Sequence, residues 1–348
     1  MKIFKTIIIT CLVIGFFLIG FIFFQNLDKN DSPSENNVYL KVSDALSEGK
    51  ENVILFPEAF YMDNKDIMRE VERAQKSSAS SIYLKGTELR PFRLKILYEI
   101  PKNELDKKRN LLKSSIKEIA AGISNEFSDD YRRIKAAHDY IIENTSYDFS
   151  INENNLHLFS ESHDAYGAII NGVAVCDGYA KALKLILDEF GINSMLVYGT
   201  ADGVLHTWNI VEIEKEFYHI DPTWDDPEYN NGIESKIYTY FLVKDKDISS
   251  SHIWDRSNYP VCDSDKYNYY FYEGLVAYNK EDVFKIINNA IKNGNELVSF
   301  RMINFSHDEK FVKGALKDAV RLSGKEINQF SYVYNPQMDY VVVILGGV

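Results

Sequence analysis

Apolar residues recur along this chain with three different spacings. Residues 6–24 form a run of 19 without a charge, interrupted only by Thr6, Thr10 and two glycines. That is long enough to cross a hydrocarbon core of about 30 Å. Lys2 and Lys5 precede the run, whereas Asp28, Asp31 and Glu35 follow it, so the positive-inside rule sets the amino terminus in the cytoplasm and the rest outside. A cleaved signal peptide has a shorter apolar core, roughly 7–15 residues, and ends in small residues. This run ends Phe21-Ile22-Phe23-Phe24-Gln25, so residues 1–25 read as a retained transmembrane anchor. Residues 26–37 are polar without an apolar period and read as a solvated tether.

From Val38 to Gly122 short periods alternate. Residues 52–56 are a strand candidate, and Asp63-Asn64 caps a helix with Ile67, Met68, Val71 and Ala74 on one face. Residues 92–100 alternate like a strand, and Leu105, Leu112, Ile116 and Ile119 keep helical spacing up to Gly122, a residue suited to stop them. An α+β module over 38–122, without chemistry of its own, is the expectation.

Ser128-Asp129-Asp130 opens the next helix with acidic residues that suit its dipole, and Ile134, Ala137, Ile141 and Ile142 supply the buried stripe. His138 falls on that stripe and reads as a hydrogen-bonded core histidine. Residues 144–163 are polar and uneven, as in a loop. Residues 177–190 are apolar on more than one face, so this helix belongs in the core, with Gly191 ending it. Residues 206–213 and 217–221 form two strands about the turn Glu214-Lys215-Glu216. Together these elements make an expected central domain, 123–262. Beyond it, the run Tyr267, Tyr269, Tyr270, Phe271 and Tyr272 reads as strand and core. A helix through Val283, Ile286, Ile287, Ala290 and Ile291 ends at Gly294, and residues 297–305 are a strand. Ser306 and Glu309 box a helix holding Val312, Leu316, Ala319 and Val320, and residues 330–334 and 340–345 make a hairpin. Residues 263–348 thus read as a separate small α+β domain.

With 348 residues, 45% apolar and 14% aromatic, the chain can bury a substantial core. Its formal net charge is −12 and no segment clusters the Lys and Arg that phosphate contacts need, so nucleic acid is not an expected partner. Of three cysteines, Cys11 lies in the apolar leader, and Cys176 and Cys262 alone make no disulfide framework.

The chemistry concentrates between Val173 and Pro227. Cys176 stands at the amino-terminal edge of the core helix, where unpaired amides and the helix dipole stabilise a thiolate and can receive a developing oxyanion. Gly172 and Gly178 flank it, which fits close approach of a substrate backbone. With Glu214 and Lys215 as the central turn residues, His206 stands opposite Thr223 and Trp208 opposite Asp221. His206 and Asp221 are then diagonal neighbours roughly 7–8 Å apart, within reach of an imidazole and a carboxylate. His219 shares the parity of Asp221 but sits deep in the second strand, so His206, near a strand end, is the better base. Cys176, His206, His219 and Asp221 would make a four-ligand zinc set, but no paired-ligand spacing supports one, and no metal is expected.

Gly172-Val-Ala-Val-Cys176-Asp-Gly-Tyr-Ala-Lys-Ala182, His206-Thr-Trp-Asn-Ile-Val and Tyr218-His-Ile-Asp-Pro-Thr-Trp-Asp-Asp-Pro227 together resemble the three signatures of the bacterial transglutaminase-like superfamily. The similarity extends from about Tyr131 to Pro260 and takes in Tyr240-Phe-Leu-Val and His252-Ile-Trp254. It implies an α+β fold: a papain-like, transglutaminase-like core, here flanked by small α+β modules and preceded by the transmembrane helix. It also carries Cys176 over as nucleophile, His206 as general acid and base, and Asp221 as the residue orienting the histidine. Tyr179, Trp208, Asn209 and Trp224 are candidates for a second oxyanion donor or for cleft walls. The implied reaction attacks a glutamine carboxamide or peptide carbonyl and forms a thioester, which an amine or water resolves, giving transamidation, deamidation or proteolysis without a cofactor. A protein or peptide substrate, such as a cell-surface protein or cell-wall peptide, is the expected partner. The competing reading is a catalytically silent surface module for binding or scaffolding in the cell envelope.

Overall fold

A computed structural model describes residues 35–151, 155, 161–226, 238–304, 309–322, 329–335 and 339–346. The expected anchor, 1–25, and most of the expected tether lie outside them; residues 35–37 already belong to a helix. Among the described residues no helix is long and apolar enough to cross a membrane.

The described residues divide into two compact units, those up to Ser78 with Lys85–Tyr98, and Ala79–Leu84 with those from Glu99 onward. In the first, α1 (Glu35–Glu48) and α3 (Asn64–Ser77) pack together, with α2 (Glu58–Tyr61) between them in the chain. Val38, Val42 and Leu46 of α1 and Ile67, Val71 and Ala74 of α3 are buried, and the Asp63 carboxylate caps α3 by accepting from the Asp66 amide. Strands β1 (Asn52–Ile54), β2 (Leu84–Arg90) and β3 (Arg93–Tyr98) are ordered β1-β3-β2.

The boundary expected at Gly122 falls elsewhere. Helix α4 (Lys102–Glu126) runs straight through Gly122, which is exposed and has nothing within reach of an added Cβ. A glycine in such a place weakens a helix slightly without ending it. Leu105, Leu112, Ile116 and Ala120 of α4 are buried, and the helix belongs to the second unit.

In that unit α5 (Asp130–Asn144) is capped by Asp129. Strands β4 (Ser146–Tyr147) and β5 (Val173–Ala174) pair in parallel and lead the chain to α6 (Cys176–Glu189). Tyr179, Ala180, Leu183, Ile186 and Leu187 of α6 are all buried, as an all-round apolar helix requires. Helices α4 and α5 flank α6. An antiparallel sheet lies against it, ordered β10-β6-β7-β8-β9: β6 (Ser194–Ala201), β7 (Val204–Ile213), β8 (Glu216–Ile220), β9 (Phe241–Val243) and β10 (His252–Trp254).

β7 and β8 pair in the register expected from a two-residue turn, Ile213 against Glu216 and Asn209 against Ile220. Glu214 and Lys215 both adopt left-handed backbone, φ 51° and 69°, which is how a short hairpin turn matches the strand twist. β7 then separates two environments by alternation. Thr207 and Asn209 face α6, whereas Trp208 and Ile210 join Val197, Val243 and Trp254 in a core on the other side.

Residues 263–348 are not set apart from this unit. The aromatic run is a short helix, α9 (Tyr269–Tyr272), because the Asn268 side chain caps it by accepting from the Tyr270 amide. Tyr267 and Tyr272 stack around Tyr131 of α5. Beyond α9 come β11 (Val276–Ala277), α10 (Lys280–Lys292), β12 (Leu297–Met302), α11 (Glu309–Leu322), β13 (Gln329–Asn335) and β14 (Tyr340–Gly346). Their strands form a sheet ordered β11-β12-β14-β13 over a core that includes Val283, Ile287, Phe300, Leu316 and Val343. Buried Arg301 of this sheet donates to Asp247 of the short helix α8 (Asp245–Ile248) at 2.8 Å.

Lys215→Gly relieves a left-handed non-glycine residue, so it should stabilise the fold by roughly 0.5–1 kcal/mol and raise the midpoint of thermal denaturation. Gly199→Ala should do the opposite. An added Cβ would strike the Ile253 carbonyl oxygen and sit 2.9 Å from the Trp208 ring. Displacing β10 or Trp208 should cost on the order of 1–3 kcal/mol in the same measurement.

Candidate active site

The start of α6 is held by the chain that crosses it. The Val175 amide donates to the Ser162 carbonyl at 2.9 Å, and Cys176 follows as the first residue of the helix, half-buried with a free thiol. The amides of this first turn have no partner further back in the helix and point out of its end. Gly178 is there for the protein's own backbone, and not for a substrate's as expected: an added Cβ would lie 2.6 Å from the Ser162 carbonyl oxygen and 2.7 Å from Ala174 Cβ. Gly172 is left-handed, φ 67°, and closes the preceding helical turn, Gly167–Asn171.

A polar belt ties this helix start to its surroundings. Asp177 accepts from the Thr207 hydroxyl of β7 and lies 3.3 Å from His163 Nδ1. Lys181, one turn on, donates to the His163 carbonyl at 2.7 Å and lies 3.8 Å from Asp164. Burial opposes ionisation of Asp177, but Lys181, His163 and Thr207 outweigh it and hold the carboxyl well below its usual range. Burial likewise opposes the Lys181 charge, and Asp177 and Asp164 outweigh it, keeping the amine protonated.

His206 stands on β7 three residues before Asn209, whose pairing with Ile220 is the last between β7 and β8 at the end where β7 opens. Its Nε2–H donates to Asp221 Oδ2 at 2.7 Å, and Cys176 is close enough to favour the charge on the ring. With Nε2 committed to the carboxylate, Nδ1 is the nitrogen left for sulfur. Cys176, His206 and Asp221 are thus brought together in that order. Burial alone would push the His206 imidazolium down, but the Asp221 charge and hydrogen bond, then Cys176, raise it to about 10.

Asp221 leaves β8 with Pro222 after it and caps α7 (Pro222–Asp225), the two residue types that start helices. Its Oδ1 accepts from the Thr223 amide at 3.0 Å and the Trp224 amide at 3.3 Å. Its Oδ2 takes a second imidazole besides His206: His252 Nε2 lies 3.0 Å away, with Ser251 Oγ 2.8 Å from the other ring nitrogen. Burial would raise the Asp221 carboxyl, yet His206 and His252 hold it well below its usual range. The histidine–tryptophan pair His252-Ile253-Trp254 stands in the sequence, but only the pairing of β10 with β6 brings His252 to this carboxylate.

The remaining candidates divide. Trp224 is half-buried and its ring lies beside His206 and His252, at centroid distances of 6.1 and 4.7 Å. Tyr179, Trp208 and Asn209 are fully buried and are corrected from cleft or oxyanion positions to structural ones. The Tyr179 hydroxyl lies between the Thr145 carbonyl and the Asp226 carboxylate, at 2.9 and 2.6 Å. Asn209 Nδ2 donates to the Ala180 carbonyl at 2.9 Å, tying β7 to α6. Trp208 Nε1 donates to His219 Nδ1 at 3.0 Å. His138 is buried between Asp139 and Asp225, 3.3 Å from each, and packs on Phe241.

Among the described residues, two groups offer metal-ligand atoms close together, His206 with Asp221 and His252, and His219 with Asp245 and Cys262. The first is the hydrogen-bonded set just described. In the second, the indole N–H of Trp208 can only donate, so His219 Nδ1 accepts and the ring proton sits on Nε2, facing Asp245 at 2.8 Å. That nitrogen has no lone pair to give a cation, and burial pushes the imidazolium down, keeping the ring neutral.

A cysteine at a helix start, a strand-borne histidine and a carboxylate on the far side of the imidazole define the papain-like class of thiol sites. Residues 117–222 match the family model for the transglutaminase-like superfamily, a little under a third of the chain. No curated protein matches the chain by sequence. Among solved structures it is similar to a TGase at 14% identity and TM-score 0.30, covering 57% of this chain and 53% of that one. A protein of Cytophaga hutchinsonii proposed to be a cysteine protease follows at 15% identity and TM-score 0.27, covering 47% and 51%. A proposed protease of Parabacteroides distasonis overlaps at 12% identity and TM-score 0.25, covering 40% and 36%. The chain spans about half the length of the first two.

The raised His206 sets a direction with pH. An unfolded histidine releases its proton near 6.5 and the folded one near 10, so the contribution of the pair to stability is whole below pH 6.5, declines above it and is gone by about pH 10. Asp221→Asn removes the main charge that sustains the imidazolium while burial remains. The upper limb of the pH profile for alkylation of Cys176 by iodoacetamide should therefore move down from about pH 10. An unmoved limb would show that another group holds the proton.

Proposed function

We propose that the chain is a cysteine-dependent acyl transferase or hydrolase acting on glutamine carboxamides or peptide bonds through a thioester. The observation that carries this reading is the 2.7 Å hydrogen bond from His206 to Asp221, with Cys176 at the start of α6 near enough to act on the same imidazole. The Cys176 thiolate attacks the carbonyl carbon, and amides of the first turn of α6 donate to the oxyanion. The His206 imidazolium gives its proton to the departing nitrogen, which leaves as ammonia or an amine as the C–N bond breaks. The neutral imidazole then takes a proton from an incoming amine or water, which attacks the thioester and releases the thiolate. Asp221, capped on Oδ1 and bridged by two imidazoles on Oδ2, orients His206 throughout.

Residues 1–25 act in this reading as a membrane anchor with the site on the outer side, and a surface protein or wall peptide as substrate. Transamidation and hydrolysis differ only in what reaches the thioester.

Cys176→Ala should abolish labelling by a thiol-directed acyl probe; retained labelling would remove the thiol from the reaction. A glutamine-containing peptide incubated with and without a primary amine, and weighed afterwards, separates the outcomes. Amine incorporation marks transamidation, a gain of 1 Da at glutamine marks deamidation, and chain cleavage marks proteolysis.

A further inference from the structure

Leu205 and His206 are neighbours in the chain with opposite surroundings: His206 is 8% exposed and Leu205 69%. Directly across from Leu205 on β6 is Thr200, and across from Thr200 on β10 is Ile253, itself 70% exposed. Residues opposed in antiparallel strands share a face, so Leu205, Thr200 and Ile253 form one row across three strands.

The row lies on the face that α6 covers, but beyond the helix. Along that face, the pair Leu196 and Asn209 is level with Ala180, whose carbonyl accepts from Asn209. The pair Tyr198 and Thr207 is level with Asp177, which accepts from Thr207. Thr200 and Leu205 come one strand repeat further, roughly 7 Å in the same direction. The helix begins at Cys176, one residue before Asp177, and so does not reach them. The row therefore runs bare past the helix start, on the side of the nucleophile.

We propose that Leu205, Thr200 and Ile253 form the subsite for an apolar side chain of an extended acyl donor, next to the residue whose carbonyl reacts. The proposal rests on Cys176 as nucleophile. Three strands span only about 10 Å, the width of one or two side chains, whereas a protein partner or a second copy would need roughly 800 Å². A peptide that places its carbonyl over the start of α6 lays its flanking residue on this row.

Two probes separate the subsite from the nucleophile. Iodoacetamide is too small to use the row and reports on the Cys176 thiol alone. Two peptidyl chloromethyl ketones, identical except for leucine or aspartate beside the ketone-bearing residue, report on the row. In the full chain the leucine compound should react about tenfold faster than the aspartate one, the order expected of one apolar contact. Leu205→Asp and Ile253→Asp, both at exposed positions, should each remove that preference while Cys176 is still alkylated by iodoacetamide. Leu322→Asp, an exposed change at the end of α11, should alter neither probe. Equal rates for the two ketones in the unmodified chain, or an undiminished leucine preference in both variants, overturns the subsite. Absence of iodoacetamide labelling at Cys176 overturns the nucleophile, and the subsite with it.

Discussion

A fully buried carboxylate, Asp221, is the group on which the site depends. An ionised carboxyl in an apolar interior costs several kcal/mol unless donors surround it. Here the donors come from three parts of the fold: the Thr223 and Trp224 amides, His206 on β7 and His252 on β10. Each arrives for a separate structural reason. Pro222 ends β8 and turns the chain into α7, which aims two amides back at Oδ1. The β7–β8 register sets His206 beside Oδ2, and the β10–β6 pairing delivers His252 to the same oxygen. Losing any of these would leave a buried charge short of a partner, so the sheet and the site hold each other in place.

The second constraint is electrostatic and concerns the start of α6. Cys176 and the carboxylate of Asp177 share the same helix start, so any negative charge that develops on the sulfur during reaction meets the Asp177 charge beside it. Lys181, one turn along the helix, lies between Asp177 and Asp164, and the Cys176 sulfur also favours its charge. The Thr207 hydroxyl and His163 engage the Asp177 oxygens further. Asp177 thus anchors the helix to β7 with its charge balanced locally. Cys176 thus acts on two cations, the Lys181 amine and the His206 imidazolium.

Much of this is legible in the sequence because it follows short-range rules. A two-residue turn at Glu214 and Lys215 sets every pairing up to Asn209 and Ile220. The expected pairs of Trp208 with Asp221 and His206 with Thr223 do not form, because Asp221 and Pro222 turn the chain into α7, and the contact of His206 with Asp221 is made from that cap. The start of α6 follows from the apolar density of residues 177–190. What is not legible depends on distant packing. His252 belongs to a three-residue strand whose role exists only through β6, and β6 itself is a run broken by Gly199 that carries no clear alternation. Tyr179 and Asn209 lie close to the site in sequence yet point into the core, because helix phase and strand face, and not proximity, decide direction. Gly122 and the tyrosine run mislead for a related reason. An exposed glycine need not end a helix, and a single asparagine cap outweighs the strand preference of four aromatic residues.

β7 shows how one strand serves chemistry and scaffold together. Its even positions carry His206 into the hydrogen-bonded cluster and Trp208 into the core, where the indole sets the proton of His219. Its odd positions tie down α6 through Thr207 and Asn209, then run out to Leu205 where the helix stops. A slip of one residue would exchange these sets, exposing the imidazole and burying Leu205 against an ionised Asp221. Both faces of the strand therefore oppose the same error. The paired groups on one face and the helix contacts on the other select one register, and that register is the one that faces an imidazole toward sulfur.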